Sequence, residues 1–198
     1  MKSLENLVWI DCEMTGLDVE KDSLVEIAVL VTDSDLTILD EAGLSVVIKP
    51  RPESLAQMGE FVTQMHQESG LLPLLSDGLG VADAEQKILD YVRGFAPEVR
   101  TAPLAGNSIG TDRMFLNRYM PNLDAHLHYR NIDVSSIKEL TRRWFPKVYF
   151  QLPKKTGGHR ALADIRESIA ELRYYRQTVF VSQPGPESEA AKQIADQL

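Results

Sequence analysis

Cysteine is almost absent: Cys12 stands alone among 198 residues. One thiol builds no internal disulfide framework, so stability has to come from a packed core, and a reducing compartment is the simplest home for the chain. Long apolar runs are missing as well. The most continuous, Leu7 to Ile10 and Ile27 to Val31, fall far short of the roughly 20 residues that cross a bilayer. Both read as buried strands, and no membrane partner is expected. The N-terminal Met1 to Asn6 runs on to Asp11 before an apolar stretch of leader length forms, which argues against export and for a cytoplasmic protein. Cations are in short supply: 21 Lys and Arg against 29 Asp and Glu leave a net charge of −8. That is the wrong sign for holding long duplex nucleic acid by neutralising many phosphates. It leaves room for a nucleotide substrate, because carboxylates hold divalent metals and the metals then meet the phosphate.

What is present describes an ordinary globular chain, 43% hydrophobic and 25% charged, able to bury a sizeable core. At about 150 residues per domain its length favours one domain with room for an extension. The folded part is expected over residues 1–180. Residues 181–198 carry Pro184-Gly185-Pro186, Glu187, Glu189, Lys192 and Asp196 with little to bury, and are expected to be a mobile tail. No internal repeat is present.

Leu7 to Met14, Leu24 to Thr32 and Leu44 to Ile48 read as three strands of an antiparallel meander, the first apolar on both faces like a covered central strand. Pro50-Arg51-Pro52 ends the sheet. Helices are expected around Leu55 to Gln67 and from Asp83 as N-cap, with Gln86 at the capping-box position and Ile88, Val92 and Phe95 on one face. Strand and helix then alternate: Ala102 to Ala105, Thr111 to Tyr119, Tyr129 to Val134, and a helix capped by Ser135 running to about Trp144. A last helix is expected over Ala161 to Tyr175, with Ile165, Ile169 and Leu172 facing inward. A meander followed by alternation implies an α/β fold, one mixed sheet with helices on its faces.

Asp11 and Glu13 sit two apart at the end of the first strand, so both carboxylates project from one face. Spacing alone says little, since 29 acids in this length give about four such pairs by chance. The context says more: an apolar strand puts both acids at the edge of the core, at the strand end where α/β sheets bind ligands. Asp112 lies near a predicted helix start just past another strand, where it could serve only the helix dipole. Asp164 lies in the first turn of the last helix, behind Thr156-Gly157-Gly158 and His159. Four carboxylates suit phosphodiester hydrolysis by two metals about 3.5–4 Å apart. A histidine with an unperturbed pKa of about 6.5 suits removal of a proton from the attacking water.

Asp11-Cys12-Glu13, Asn107 with Asp112 and Phe115, and His159-x-Ala161-x-x-Asp164 resemble, in order, the three exonuclease motifs of the histidine-containing branch of the DEDD superfamily. Trp9-Ile10-Asp11-Cys12-Glu13-Met14-Thr15-Gly16-Leu17, Gly106-Asn107-Ser108-Ile109-Gly110-Thr111-Asp112-Arg113 and His128-Tyr129-Arg130-Asn131-Ile132-Asp133-Val134-Ser135 are similar to the oligoribonuclease family, over roughly Leu7 to Phe180. The resemblance implies a ribonuclease H-like α/β fold, a mixed five-stranded sheet with helices on both faces. It implies 3′-to-5′ hydrolysis of very short RNAs, chiefly 5′-phosphorylated dinucleotides, with two divalent ions of magnesium or manganese. In that reading Asp11, Glu13, Asp112 and Asp164 hold the metals and His159 is the general base. Leu17 is the apolar wedge between two bases, and Ser108, Arg130, Ser135 and Lys138 cap the 5′-phosphate. Tyr129 reaches the partner's site in a homodimer. Phe61, in Met58-Gly59-Glu60-Phe61, stands where many relatives carry a stacking tryptophan, and keeps a π-face of smaller area.

Apart from that resemblance, Leu17 and Phe61 read as ordinary half-buried apolar residues. His66, His126 and His128 lack metal-ligand spacing and read as surface or interface residues. Cys12, on the opposite strand face from the two acids, reads as a small core residue. Met58 and Met65 read as packing, and Lys154-Lys155 either as solvated charge or as a basic loop near the substrate. Two other functions compete: a trimming exonuclease for longer DNA or RNA, and a catalytically silent nucleic-acid adaptor, which the intact carboxylate set disfavours.

Overall fold

The computed structural model describes residues 6–154 and 158–198. Lys155, Thr156 and Gly157, on which part of the readings of Lys154-Lys155 and of the glycine approach to His159 rest, lie outside the described residues.

Three strands open the chain as expected: β1 (Leu7–Met14), β2 (Leu24–Thr32) and β3 (Leu44–Val47), paired antiparallel. β4 (Pro103–Gly106) adds parallel to the free side of β1, and β5 (His128–Asp133) adds parallel to β4, giving the order β3-β2-β1-β4-β5. Every residue of β2 is buried, as a strand covered on both faces must be. Pleating splits β1 cleanly. Val8, Ile10 and Cys12 enter the larger core, with Ile88, Val92, Phe115 and Leu116. Trp9 enters the other, with Ile165, Ile169 and Tyr175, and its indole N–H donates to Thr32 Oγ1 at 3.0 Å. Asp11 and Glu13 share the Trp9 parity, so the acids point toward the layer that holds the last long helix.

Around this sheet lie α1 (Pro52–Ala56), α2 (Glu60–Glu68), a 3₁₀ turn (Leu72–Asp77), α3 (Val81–Phe95), α4 (Ile109–Tyr119), α5 (Pro121–His126), α6 (Val134–Trp144), α7 (Pro146–Tyr149), α8 (Ala161–Thr178) and α9 (Ser188–Ala195). β3, β4, α4 and β5 shift by one or two residues from the sequence reading, and four helices differ in a way that matters for the site. The helix expected over Leu55 to Gln67 is two helices, because the backbone at Gly59 is extended and acts as the N-cap of α2. α3 starts at Val81 with Gly80 as N-cap, and Asp83 instead supplies negative charge to its first turn. α6 is capped by Asp133, whose carboxylate accepts from the Ser135 amide, so Ser135 lies inside the helix. α8 runs three residues past Tyr175. α5, α7 and the 3₁₀ turn were not foreseen; each is short and carries proline in its first turn, a start signal without the length for a periodic pattern. Residues 181–198 hold α9, which buries nothing.

Candidate active site

The carboxylates come together where β1 ends and α8 begins. Asp11, Glu13 and Asp164 each present an oxygen within 4.8 Å of the others. Asp112, in the first turn of α4, lies just outside that trio. Its Oδ1 accepts the Cys12 amide at 2.9 Å, so this buried carboxylate is clamped to the strand between the two acids. Serving the helix dipole is therefore not its only role. Cys12 itself is buried in the core, as its strand parity requires.

Crowding of like charge away from water sets the electrostatics. Burial, then the charges of Asp112 and Glu13, push the Asp11 carboxyl up to about 9. Burial, then Asp164 and Glu26, push Glu13 to about 8, with Arg160 opposing. Burial pushes Asp112 to about 7 although the Cys12 amide holds it down. An all-oxygen donor set with this excess of negative charge fits a hard divalent cation such as magnesium or manganese.

Glu26 faces Glu13 across β1 and β2 and is almost fully buried. Its carboxylate accepts from Arg160 Nε and Nη2 at 3.2 and 2.8 Å. His66, expected at the surface or an interface, has its ring fully buried instead, with Nε2 2.9 Å from the Met14 carbonyl and Nδ1 4.0 Å from Glu13 Oε2. No local spacing links it to Glu13. His126 is buried too, against the Ala96 carbonyl at 2.8 Å. His128 is partly buried on β5, its Nδ1 accepting the Arg130 amide. His159 is exposed on the approach to α8, with φ at +44°. Ser108 is left-handed as well, φ at +52°. Such backbone costs about 1–3 kcal/mol per residue and persists where surroundings impose it, as at functional sites.

Beside the carboxylates runs a hydrogen-bonded chain. The Ser108 amide donates to Ser135 Oγ at 2.7 Å and to Asp133 Oδ1 at 3.1 Å. Ser135 Oγ donates to Asn107 Oδ1 at 3.1 Å, and Asn107 Nδ2 to Ser168 Oγ at 2.8 Å. Ser168 Oγ returns to the Asp164 carbonyl at 2.9 Å. Lys138 joins through Glu171, 3.4 Å away, whose buried carboxylate also accepts from Tyr175 OH at 2.9 Å. Three of the four residues expected to cap a phosphate thus belong to one network tied to the backbone of Asp164. Arg130 does not join it; it lies on the outer strand β5, over the Tyr129 ring at 5.5 Å. Leu17 and Phe61 are 75% and 81% exposed, which excludes the half-buried packing role.

A mixed sheet with acids converging from β1 and α8 is an arrangement suited to metal-assisted phosphodiester chemistry, and the comparisons show the class to be that of the exonucleases. The exonuclease family model matches residues 8–172. An oligoribonuclease of Leifsonia xyli is 64% identical over 187 residues, 94% of this chain and 90% of that one. An oligoribonuclease of Streptomyces griseus is 58% identical over 194 residues, 98% of this chain and 96% of that one. The chain belongs to the oligoribonuclease family of exonucleases. Among solved structures, exonuclease I of Methylocaldum szegediense superposes with a TM-score of 0.60 at 21% identity, over 88% of this chain and 41% of that one. A zinc-bound E. coli exonuclease I–ssDNA complex gives 0.63 at 15%, over 88% and 41%. The chain thus spans about two-fifths of those larger proteins, and the likeness shows the ribonuclease H-like fold.

Proposed function

We propose that the chain is a 3′-to-5′ exoribonuclease for very short RNAs, chiefly 5′-phosphorylated dinucleotides. The observation that carries this reading is the convergence of Asp11, Glu13 and Asp164, backed by Asp112, beside a network that contains Ser108, Ser135 and Lys138. Asp11, Glu13, Asp112 and Asp164 would hold two divalent ions, magnesium or manganese. When bound, these lend positive charge to the scissile phosphate and its leaving oxygen. His159 takes the proton of a water whose oxygen attacks the phosphorus; the bond to the 3′ oxygen of the penultimate nucleotide breaks, that oxygen takes a proton from solvent to become a 3′-hydroxyl, and a 5′-mononucleotide is released. Leu17 wedges between the bases and Phe61 stacks on one, roles that suit their exposure. Ser108, Ser135, Lys138 and Arg130 receive the 5′-phosphate.

A homodimer is part of the reading. Tyr129 is exposed on the outer strand β5, and Trp144 and Phe150 stand exposed at and beyond the end of α6. Covering such aromatics is what an interface does, and it would bring Tyr129 to the partner's site. The lone buried Cys12 suits a reducing, cytoplasmic home, and no helix among the described residues is long and apolar enough to cross a membrane. Residues 1–180 are taken as the catalytic unit and 181–198 as a mobile tail.

Two substitutions test the chemistry. Asp112→Asn retains an acceptor for the Cys12 amide, so the fold should survive while the rate falls by at least roughly 10²-fold. His159→Ala should lower kcat by about 10² to 10⁴-fold. Wild-type rates in either variant remove that residue from its role.

A further inference from the structure

We infer that Arg160, clamped by Glu26, is the positioning residue that holds His159 and Asp164 in register with the carboxylates of β1. The inference rests on the proposal that His159 is the general base.

α8 begins without a side-chain cap of its own; its N-cap residue is Arg160. The cap comes from another element. Glu26 of β2 accepts from Arg160 Nε and Nη2, and its Oε2 also accepts the Ala161 amide at 3.3 Å. Ser45 Oγ of β3 supplies a further hydrogen bond at 2.8 Å. The carboxylate is 1% exposed and fully engaged, and the planar guanidinium fork is the cation suited to such a two-toothed grip. The Arg160 carbonyl in turn accepts the amides of Ala163 and Asp164 at 2.9 and 3.1 Å. One residue therefore ties the first turn of α8, which carries Asp164, to the strand that stands in register with Glu13. His159 is bonded directly to it and holds a left-handed backbone. Released from Glu26, Arg160 would let His159 relax and let α8 turn relative to β1. Catalytic groups displaced by about an ångström lose rate far more than affinity.

The alternative is that Arg160, 38% exposed, touches substrate phosphate itself. The variants Arg160→Lys and Glu26→Gln separate the two in the full chain with manganese and a 5′-phosphorylated diribonucleotide. If Arg160 positions His159, both variants lower kcat by roughly 10 to 100-fold, with KM held within about threefold. Both also speed hydrogen–deuterium exchange of the Ala161 amide by about tenfold or more. In a His159→Ala background the further loss from either variant shrinks to a fraction of its wild-type size, because the share that runs through His159 is already gone and only the share that runs through Asp164 remains. Arg160→Lys raising KM at constant kcat while Glu26→Gln is silent makes Arg160 a phosphate ligand and overturns the inference. So does a full additional loss in the His159→Ala background, or unchanged exchange at Ala161. A silent His159→Ala by itself instead overturns the general-base reading, and the exchange data then still report whether the clamp exists.

Discussion

At the scale of single residues, the functional set divides by how each side chain meets its surroundings. Phe61, which the sequence resemblance places where a stacking aromatic is expected, stands 81% exposed to solvent. Stacking on a base is worth about 1–3 kcal/mol by alanine substitution. Phe61→Ala should therefore raise KM for short RNA by roughly 5 to 150-fold, and Phe61→Trp should lower it below wild type. Equal KM values across the three proteins, measured by steady-state kinetics, would take Phe61 out of the site. Asp11, Glu13 and Asp164 were legible because strand parity and a helix first turn are local rules. His66 was not, since its place behind Glu13 depends on the break at Gly59 that creates α2 and turns the ring inward. Glu26 was equally hidden: in sequence it is one acid inside an apolar strand, and only the return of α8 gives it Arg160.

At the scale of elements, the strands and long helices follow from alternation and periodicity, and the errors cluster at helix starts. Ser135 is a good capping residue by type, yet Asp133 two residues earlier takes that role and leaves the Ser135 hydroxyl to Ser108 and Asn107. Local propensity could not choose between them; the pairing of β5 with β4, which ends at Asp133, does. The two assignments predict different proteins. Asp133→Ala should cost about 1 kcal/mol or more of stability through lost capping, whereas Ser135→Ala should leave α6 as stable as before and weaken dinucleotide cleavage. Chemical unfolding of both variants decides it, and a larger stability loss for Ser135→Ala would contradict the assignment. Short elements such as α5 and α7 stayed invisible because a single turn has no period to detect.

At the scale of the whole molecule, the acidic character seen in composition becomes a concentrated charge at one sheet end. Asp11, Glu13 and Asp112 rise from ordinary values of 3.8, 4.5 and 3.8 to about 9, 8 and 7. Between those limits the metal-free native chain binds more protons than the unfolded chain, so the stability these groups give below pH 4 is lost as pH rises through 7 to 9. Divalent cation binds the ionised native site and restores it, by about 2.7 kcal/mol at a hundredfold excess over Kd. The Tm of chelator-treated protein should fall from pH 6 to pH 9, and manganese should close most of the gap; a flat profile with no response to manganese would mean that the acids hold no metal. The central claim is a substrate measured at both ends, metals at the scissile phosphate and the Ser108–Ser135–Lys138 network with Arg130 at the 5′-phosphate. The most direct test is kcat/KM for 5′-phosphorylated RNAs from two to seven nucleotides, with wild type and Arg130→Ala. The account predicts a steep fall beyond the dinucleotide, and a loss of roughly 10 to 150-fold in Arg130→Ala, as for a charge-assisted bond worth about 1.5–3 kcal/mol, greatest for the dinucleotide. Equal kcat/KM for dimer and heptamer, or an equal effect of Arg130→Ala on both, would contradict it and make the chain a general exonuclease.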